Sequence, residues 1–344
     1  MKEKHWTLLV GTLILERIVF AWFHRHVEDD AFITFRYSQH LVEGFGPVWN
    51  TDQRVEGYTN FLWMLLMCIP IALGVDPVLP SILLGLACAG TSLWFLFLIS
   101  KRQTESAAKG FWAWLPLVFS HTLLIFSTSG METAFNGLLW TLALWQLQPM
   151  LRGNRIPSPK SLWLLGITCA LAVMCRPEGG LLVLGCAVAI WMWLKIARHG
   201  IWVKFWHFAA AVLLPLLPWL IWKLTFYGSV LPNTFYVKTG SGSWSMGLQY
   251  SLAFLLVSGF WIPELLMRTT KVLKSWNFDV FLIVGAGLVA SFVGYTAWAG
   301  GDYLEFRLMV PILPLLLLLP GWWLARKSLN IRQIIVASVT MAVV

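Results

Sequence analysis

Glu28, Asp29 and Asp30 are three consecutive carboxylates, preceded by His24, Arg25 and His26, in a chain where only 12% of residues are charged. A carboxylate so placed can take a proton from an attacking hydroxyl, and a nearby guanidinium or ammonium can hold an anionic leaving group. Four more polar clusters interrupt the apolar runs: SGMETAF at 129–135, RPEGG at 176–180, PNTFYVK at 232–238 and GGDYLEFR at 300–307. They contribute Glu132, Arg176, Glu178, Asn233, Lys238, Asp302 and Arg307. Each also has a structural reading. Asp is a common helix cap, although a cap takes one acid and not three. Glu132, at the start of an apolar run, suits a helix dipole. Arg176 either locks against Glu178 or faces an anionic ligand, and Asp302 with Arg307 has the same two readings. Lys238 is either a solvated loop lysine or a cation for that ligand. His24, His26, Asp29, Asp30 and Asp302 can supply ligands to a divalent metal ion, but no spacing among them is diagnostic.

The elements that carry these clusters are apolar. With 58% hydrophobic residues in 344 and a mean hydropathy of +0.71, the chain carries about half the charge of a soluble globular domain. Composition therefore predicts an all-α polytopic membrane protein. The net charge of +9 reads as cytoplasmic loops in such a chain, and no nucleic-acid partner is expected. Clear spans are predicted near 7–23, 78–100, 111–128, 132–148, 161–175, 180–196, 205–223, 249–266, 279–298, 308–325 and from 331 onward, which makes about eleven. The run from Phe61 to Gly74 is short and contains Pro70, so it fits an interfacial or re-entrant helix better than a span.

Charge decides that ambiguous run. If 61–74 does not cross, one side of the membrane receives Lys2, Lys4, Lys101, Arg102, Lys109, Arg152, Arg155, Lys160, Lys195, Arg198, Lys204, Arg268, Lys271, Lys274, Arg326, Lys327 and Arg332, which is 17 of the 25 basic residues. The other side receives only Arg25, Arg36, Arg54, Arg176, Lys238 and Arg307. Cytoplasmic loops collect Lys and Arg, so the first side is cytoplasmic and holds the N-terminus, and 24–77 becomes one long outer loop. Eleven of the sixteen acids then fall on the outer face, with all the polar clusters named above. Polar groups converging on one face of a membrane bundle predict a site there.

Within the outer loop, Phe32, Ile33, Phe35, Tyr37 and Leu41 give an amphipathic helix that opens on the acids and stops at Glu43-Gly44. The N-terminal run carries Glu16 and Arg17 and lacks a small-residue cleavage site, so it reads as a retained span. Cys68, Cys88, Cys169, Cys175 and Cys186 sit in or beside apolar runs without metal-ligand spacing and read as packing residues. No repeat or linker marks a soluble domain, so 1–344 is taken as one transmembrane domain. The chain ends inside an apolar run, and a protein truncated at its C-terminus is expected.

The ordered series DDAFITFRYSQHLVEGFGPVWN, RVEGYTNFLW, SGMETAF, RPEGG, PNTFYVK and GGDYLEFRLMVPILP resembles the GT-C superfamily of polyprenyl-phosphate-sugar glycosyltransferases, in particular its bacterial terminal arabinofuranosyltransferase-like branch. The likeness runs from Asp29 to about Pro314. Aminoarabinose transferases and protein mannosyltransferases share the first-loop acid pair, but this chain has Glu56-Gly57-Tyr58 where the former are similar to a Glu-Lys-Pro pattern.

The resemblance implies a GT-C fold with juxtamembrane helices in the first periplasmic loop. It also implies a polyprenyl-phosphate sugar donor, a cell-envelope glycan or lipid acceptor, and Asp29 as catalytic acid-base residue with Asp30 beside it. Arg176, Lys238 and Arg307 are the candidates for the donor phosphate. Arg36, Glu56, Tyr58, Asn60, Glu132, Glu178, Asn233 and Asp302 are the candidates for substrate binding. The expected location is the bacterial inner membrane, multi-pass, with the site periplasmic. A transporter or lipid-linked sugar flippase is the competing class, but transporters place ionisable residues near the bilayer midplane between pseudo-symmetric halves, and no half of this sequence repeats the other.

Overall fold

The computed structural model describes residues 2–152, 157–196, 201–236, 244–258 and 280–318, and among these every regular element is helical. In chain order these are α1 (Glu3–Phe23), α2 (Asp29–Val42), α3 (Phe61–Ala72), α4 (Val78–Thr104), α5 (Ala107–Val118), α6 (His121–Ile125), α7 (Thr133–Arg152), α8 (Pro159–Cys175), α9 (Gly179–Ile196), α10 (Ile201–Tyr227), α11 (Trp244–Ser258) and α12 (Val280–Trp298). A 3₁₀ turn, Arg307–Met309, follows, and a last helical stretch runs over 313–318. By length and composition, Glu3–Phe23, Val78–Thr104 and Lys204–Tyr227 can each cross a membrane.

The core is one large apolar cluster shared by α4, α5, α7, α8, α9, α10 and α12, with Trp114, Trp140, Phe97 and Phe292 fully buried in it. A smaller cluster of Ala31, Phe35, Trp63, Met67, Phe126, Met131 and Val310 seats the first loop on the bundle. The Trp63 indole donates to the Gly130 carbonyl at 3.0 Å, which fixes α3 to the turn that precedes Glu132.

Asp29 and Asp30 open α2, where negative charge complements the helix dipole, and Gly44 at φ +89° ends it. One face of α2, carrying Ala31, Thr34, Phe35, Tyr37, Ser38 and His40, is buried against α3 and the loop between them. Ser38 donates to the Met64 carbonyl at 2.8 Å, and His40 Nδ1 lies 2.8 Å from the Val48 carbonyl. At a rise of 1.5 Å per residue, the 12 residues of α3 reach about 18 Å against a hydrocarbon core of about 30 Å. Leu73 closes that helix, and Gly74 at φ +72° turns the chain towards α4.

Two expected spans differ from what is observed. The run 111–128 is not one helix: α5 carries Pro116 in its last turn and stops at Phe119, after which Ser120 caps the short α6 by accepting from the Leu123 amide. The run 308–325 starts late, since Pro311 and Pro314 delay the helix until 313. The run 249–266 is described only to Ser258, and the run from 331 lies outside the described residues.

Close helix approach at the site end depends on Gly85. A Cβ there would lie 2.3 Å from the Ser127 carbonyl oxygen, which is backbone and cannot step aside. Gly85→Val is expected to destabilise the fold by about 1–3 kcal/mol through overpacking, read as reduced recovery and a lower melting temperature of the purified protein.

Candidate active site

The polar clusters meet in a cavity of about 230 Å³ at the end of the bundle where α2 sits. Its walls are Asp30, Ile33 and Thr34 of α2, the stretch 57–60, Met131 and Glu132 before α7, and the Arg176–Glu178 turn between α8 and α9. Pro232, Thr234 and Phe235 beyond α10, the end of α12, and residues from Gly301 to Leu308 complete it. Sequence segments far apart are thus drawn together by loops at a single end.

Two arginines organise the interior. Arg176 donates through Nε to Glu178 and through Nη1 to Glu132, and both carboxylates are almost fully buried. Asn60 donates from Nδ2 to the second Glu132 oxygen at 2.7 Å and to Thr34 Oγ1 at 3.0 Å, which ties this cluster to α2. Burial alone would raise the Glu132 pKa, but Arg176, Arg307 and the Asn60 bond hold it below its ordinary value. Burial alone would lower the Arg176 pKa, yet Glu178 and Glu132 raise it well above the ordinary value, so the side chain is a fixed cation.

Arg307 forms the second centre. Its Nε donates to Asp302 at 2.7 Å and its Nη1 to Asp30 at 3.1 Å, while the Tyr303 hydroxyl donates to the same Asp30 oxygen at 2.6 Å. Consecutive left-handed glycines, Gly300 at φ +86° and Gly301 at φ +78°, turn the chain out of α12 and aim Asp302 at this arginine. The two anchors differ in access: the Asp302 side chain is 0% exposed and that of Asp30 is 28%. A ligand anion can therefore replace Asp30 on the guanidinium while Asp302 keeps it in place.

Of the residues singled out in the sequence, Asp30, Tyr58, Asn60, Glu132, Arg176, Glu178 and Arg307 line the cavity, and Asp302 supports it from behind. Asp29 does not line it; it is exposed at the rim and accepts from the Asp30 amide at 2.9 Å. Glu56 is buried behind the wall, with one oxygen 2.9 Å from Lys223 Nζ, and burial raises its pKa against the pull of that lysine. Asn233 reaches the wall through its backbone, whose amide donates to the Glu56 carbonyl at 2.9 Å, while its side chain is exposed. Arg36 lies outside the cavity, on the exposed face of α2 beside Gln39 and Asp76. Lys238 lies outside the described residues.

Three groups at the site were not singled out by sequence. Tyr303 is the partner of Asp30, and Met131 places its sulfur 3.1 Å from Arg307 Nη1. Lys223 is the partner of Glu56; an ionisable residue inside an apolar run was itself a signal.

Of the five metal ligands considered, four are otherwise engaged, and Asp29 is exposed and accepts only from the Asp30 amide. His24 Nδ1 lies 2.9 Å from the Phe20 carbonyl, His26 pairs with Glu28 at 3.1 Å, and Asp30 and Asp302 are both on Arg307. Among the described residues no three of His, Cys, Asp or Glu gather in a ligating group. As arranged, the described residues do not fit a bound divalent ion.

No family model matches the chain. It is 25% identical over 343 residues to a terminal beta-(1->2)-arabinofuranosyltransferase of Mycobacterium tuberculosis, a match covering 86% of this chain and 52% of that protein. A Corynebacterium glutamicum protein of the same name is 25% identical over 342 residues, with 86% and 48% covered. The chain thus spans about half the length of the curated relatives it matches. Among solved structures, ArnT from Cupriavidus metallidurans bound to undecaprenyl phosphate superposes with a TM-score of 0.66 at 13% identity, covering 95% of this chain and 61% of the other. Its apo form gives 0.63 at 16% identity. The chain is thus similar in sequence to terminal arabinofuranosyltransferases and shares its fold with ArnT.

Proposed function

We propose that the protein is an integral-membrane glycosyltransferase that moves a sugar from a polyprenyl-phosphate donor to a cell-envelope glycan or lipid acceptor. Its site faces the periplasm across an eleven-span bundle in the bacterial inner membrane, with the N-terminus cytoplasmic. The observation that carries this reading is the cavity itself, in which two buried arginines stand with the partly exposed first-loop acid Asp30.

The division of labour follows from how each group is held. The donor phosphate enters at Arg307, displaces Asp30 from Nη1 and leaves Asp302 in place. Arg176 contributes a fixed positive charge from behind its two glutamates, and Lys238 is the third candidate cation. As the glycosidic C–O bond to the phosphate breaks, these cations stabilise the departing phosphate. Asp29 is exposed and makes no ion pair among the described residues, so it is the better base of the pair. It takes the hydroxyl proton as the new glycosidic bond forms. Asp30, ion-paired with Arg307 and hydrogen-bonded by Tyr303, instead holds the arginine until the donor phosphate takes its place.

The names of the relatives support testing pentofuranosyl donors first, and the lipid named with ArnT supports undecaprenyl phosphate as the carrier probe. Purified protein incubated with a panel of polyprenyl-phosphate pentoses and hexoses and short arabinan acceptors is expected to consume one donor and release polyprenyl phosphate. Saturable binding of the panel with no glycoside formed and no lipid phosphate released would instead indicate a transporter or flippase.

A further inference from the structure

Lys223 lies in the apolar helix α10, yet its side chain is 4% exposed and reaches Glu56, itself 5% exposed, at 2.9 Å. The contact is an ion pair with both partners buried. The ammonium also stands 4.9 Å from the centre of the Trp219 ring. Neither charge touches the cavity, and a buried ion pair is poor evidence for stability as such, since a well-packed apolar pair commonly does as well.

Its neighbours explain its place. Glu56 immediately precedes the 57–60 wall, and its backbone carbonyl accepts from the Asn233 amide at 2.9 Å, joining it to the opposite wall of Pro232, Thr234 and Phe235. Around this node, Tyr58 and Tyr227 bring their hydroxyls within 3.2 Å, and Tyr227 donates to the Pro47 carbonyl at 2.6 Å. One glutamate is thus bonded by its backbone to one wall, continuous in sequence with the other, and anchored through its carboxylate to a helix of the frame.

We propose that Lys223 is a positioning residue that, through Glu56, holds the two loop walls of the cavity at a fixed spacing, so that the donor headgroup meets the arginines in one geometry. The second clause rests on the glycosyltransferase reading; the first does not.

The test measures the walls and the ligand separately in the full chain. Spin labels at Thr59→Cys and Thr234→Cys, in a background with the five native cysteines replaced, are expected to report one narrow distance. Lys223→Met should broaden it at least twofold and weaken binding of undecaprenyl phosphate about tenfold, whereas Lys223→Arg should leave the distance as narrow as in the parent and binding within about threefold. The double variant Lys223→Met with Glu56→Met removes the lone buried charge and should regain the melting temperature while the distance stays broad. If Lys223→Met does not fold, Lys223→Gln replaces it with the same expectation for the distance. A narrow, parent-like distance in the double variant, or in Lys223→Gln, would overturn the proposal. Failure of the parent protein to bind undecaprenyl phosphate would count against the donor reading alone, because the distance measurement still decides the role of Lys223.

Discussion

Asp29→Asn is expected to insert and purify as the parent does and to transfer sugar about 10²- to 10⁴-fold more slowly, the range associated with loss of a general base. The amide keeps an oxygen that can still accept from the Asp30 amide, so the start of α2 is preserved while the proton acceptor is lost. Asp30→Asn serves as the comparison. It weakens the carboxylate that competes with the donor phosphate for Arg307 and should lower the KM for donor while changing kcat far less. Initial rates over a donor titration separate the two cases. If Asp30→Asn abolishes turnover while Asp29→Asn retains it, the base is Asp30; parent-like turnover in both would remove the acid pair from the mechanism.

The largest structural effect is expected at Arg176. Replacing it by Ala leaves Glu132 and Glu178 buried without their shared cation, and breaking such a cluster costs about 3–5 kcal/mol. Removing one of the two orphaned charges with a further Glu178→Gln should recover part of that loss, measured by thermal melting in detergent. The pH response should change too. In the parent, the folded-state pKa of Glu132 lies below its ordinary 4.5, so its pairing stabilises the fold above that value and is lost as pH falls through the lower folded one. Without Arg176, burial dominates and raises the Glu132 pKa, so mild acidification should now stabilise the protein. A melting temperature that falls equally with acid in both proteins would show that Glu132 is not governed by Arg176.

Much of this arrangement was legible in the sequence, because its signals are local. The acids opening α2, the glycine that stops it and the insufficient length of α3 all lie within a few residues of the structure they determine. The Arg176–Glu178 lock could be named as one of two readings for the same reason. The second carboxylate on Arg176 could not, since Glu132 comes from a different loop and only packing brings it there. Glu56 looked like a substrate ligand because its partner is hidden in a distant apolar helix. The break between α5 and α6 escaped because hydrophobicity continues across Phe119 while the helix does not; Pro116 and the Ser120 cap mattered more than the apolar average.

The contact between Asp30 and Arg307 closes a span of 277 residues, whereas that between Glu132 and Arg176 closes 44. The ribosome makes these partners in order, so the Arg176 centre can mature once α8 and α9 are in place, while Asp30 waits for almost all of the described chain. During biogenesis the first loop must persist without its final counter-ion, which the turn at Gly300 and Gly301 later delivers. Assembly of the cavity is thereby coupled to synthesis as far as Arg307, and a nascent chain short of that point would present the acid pair without it.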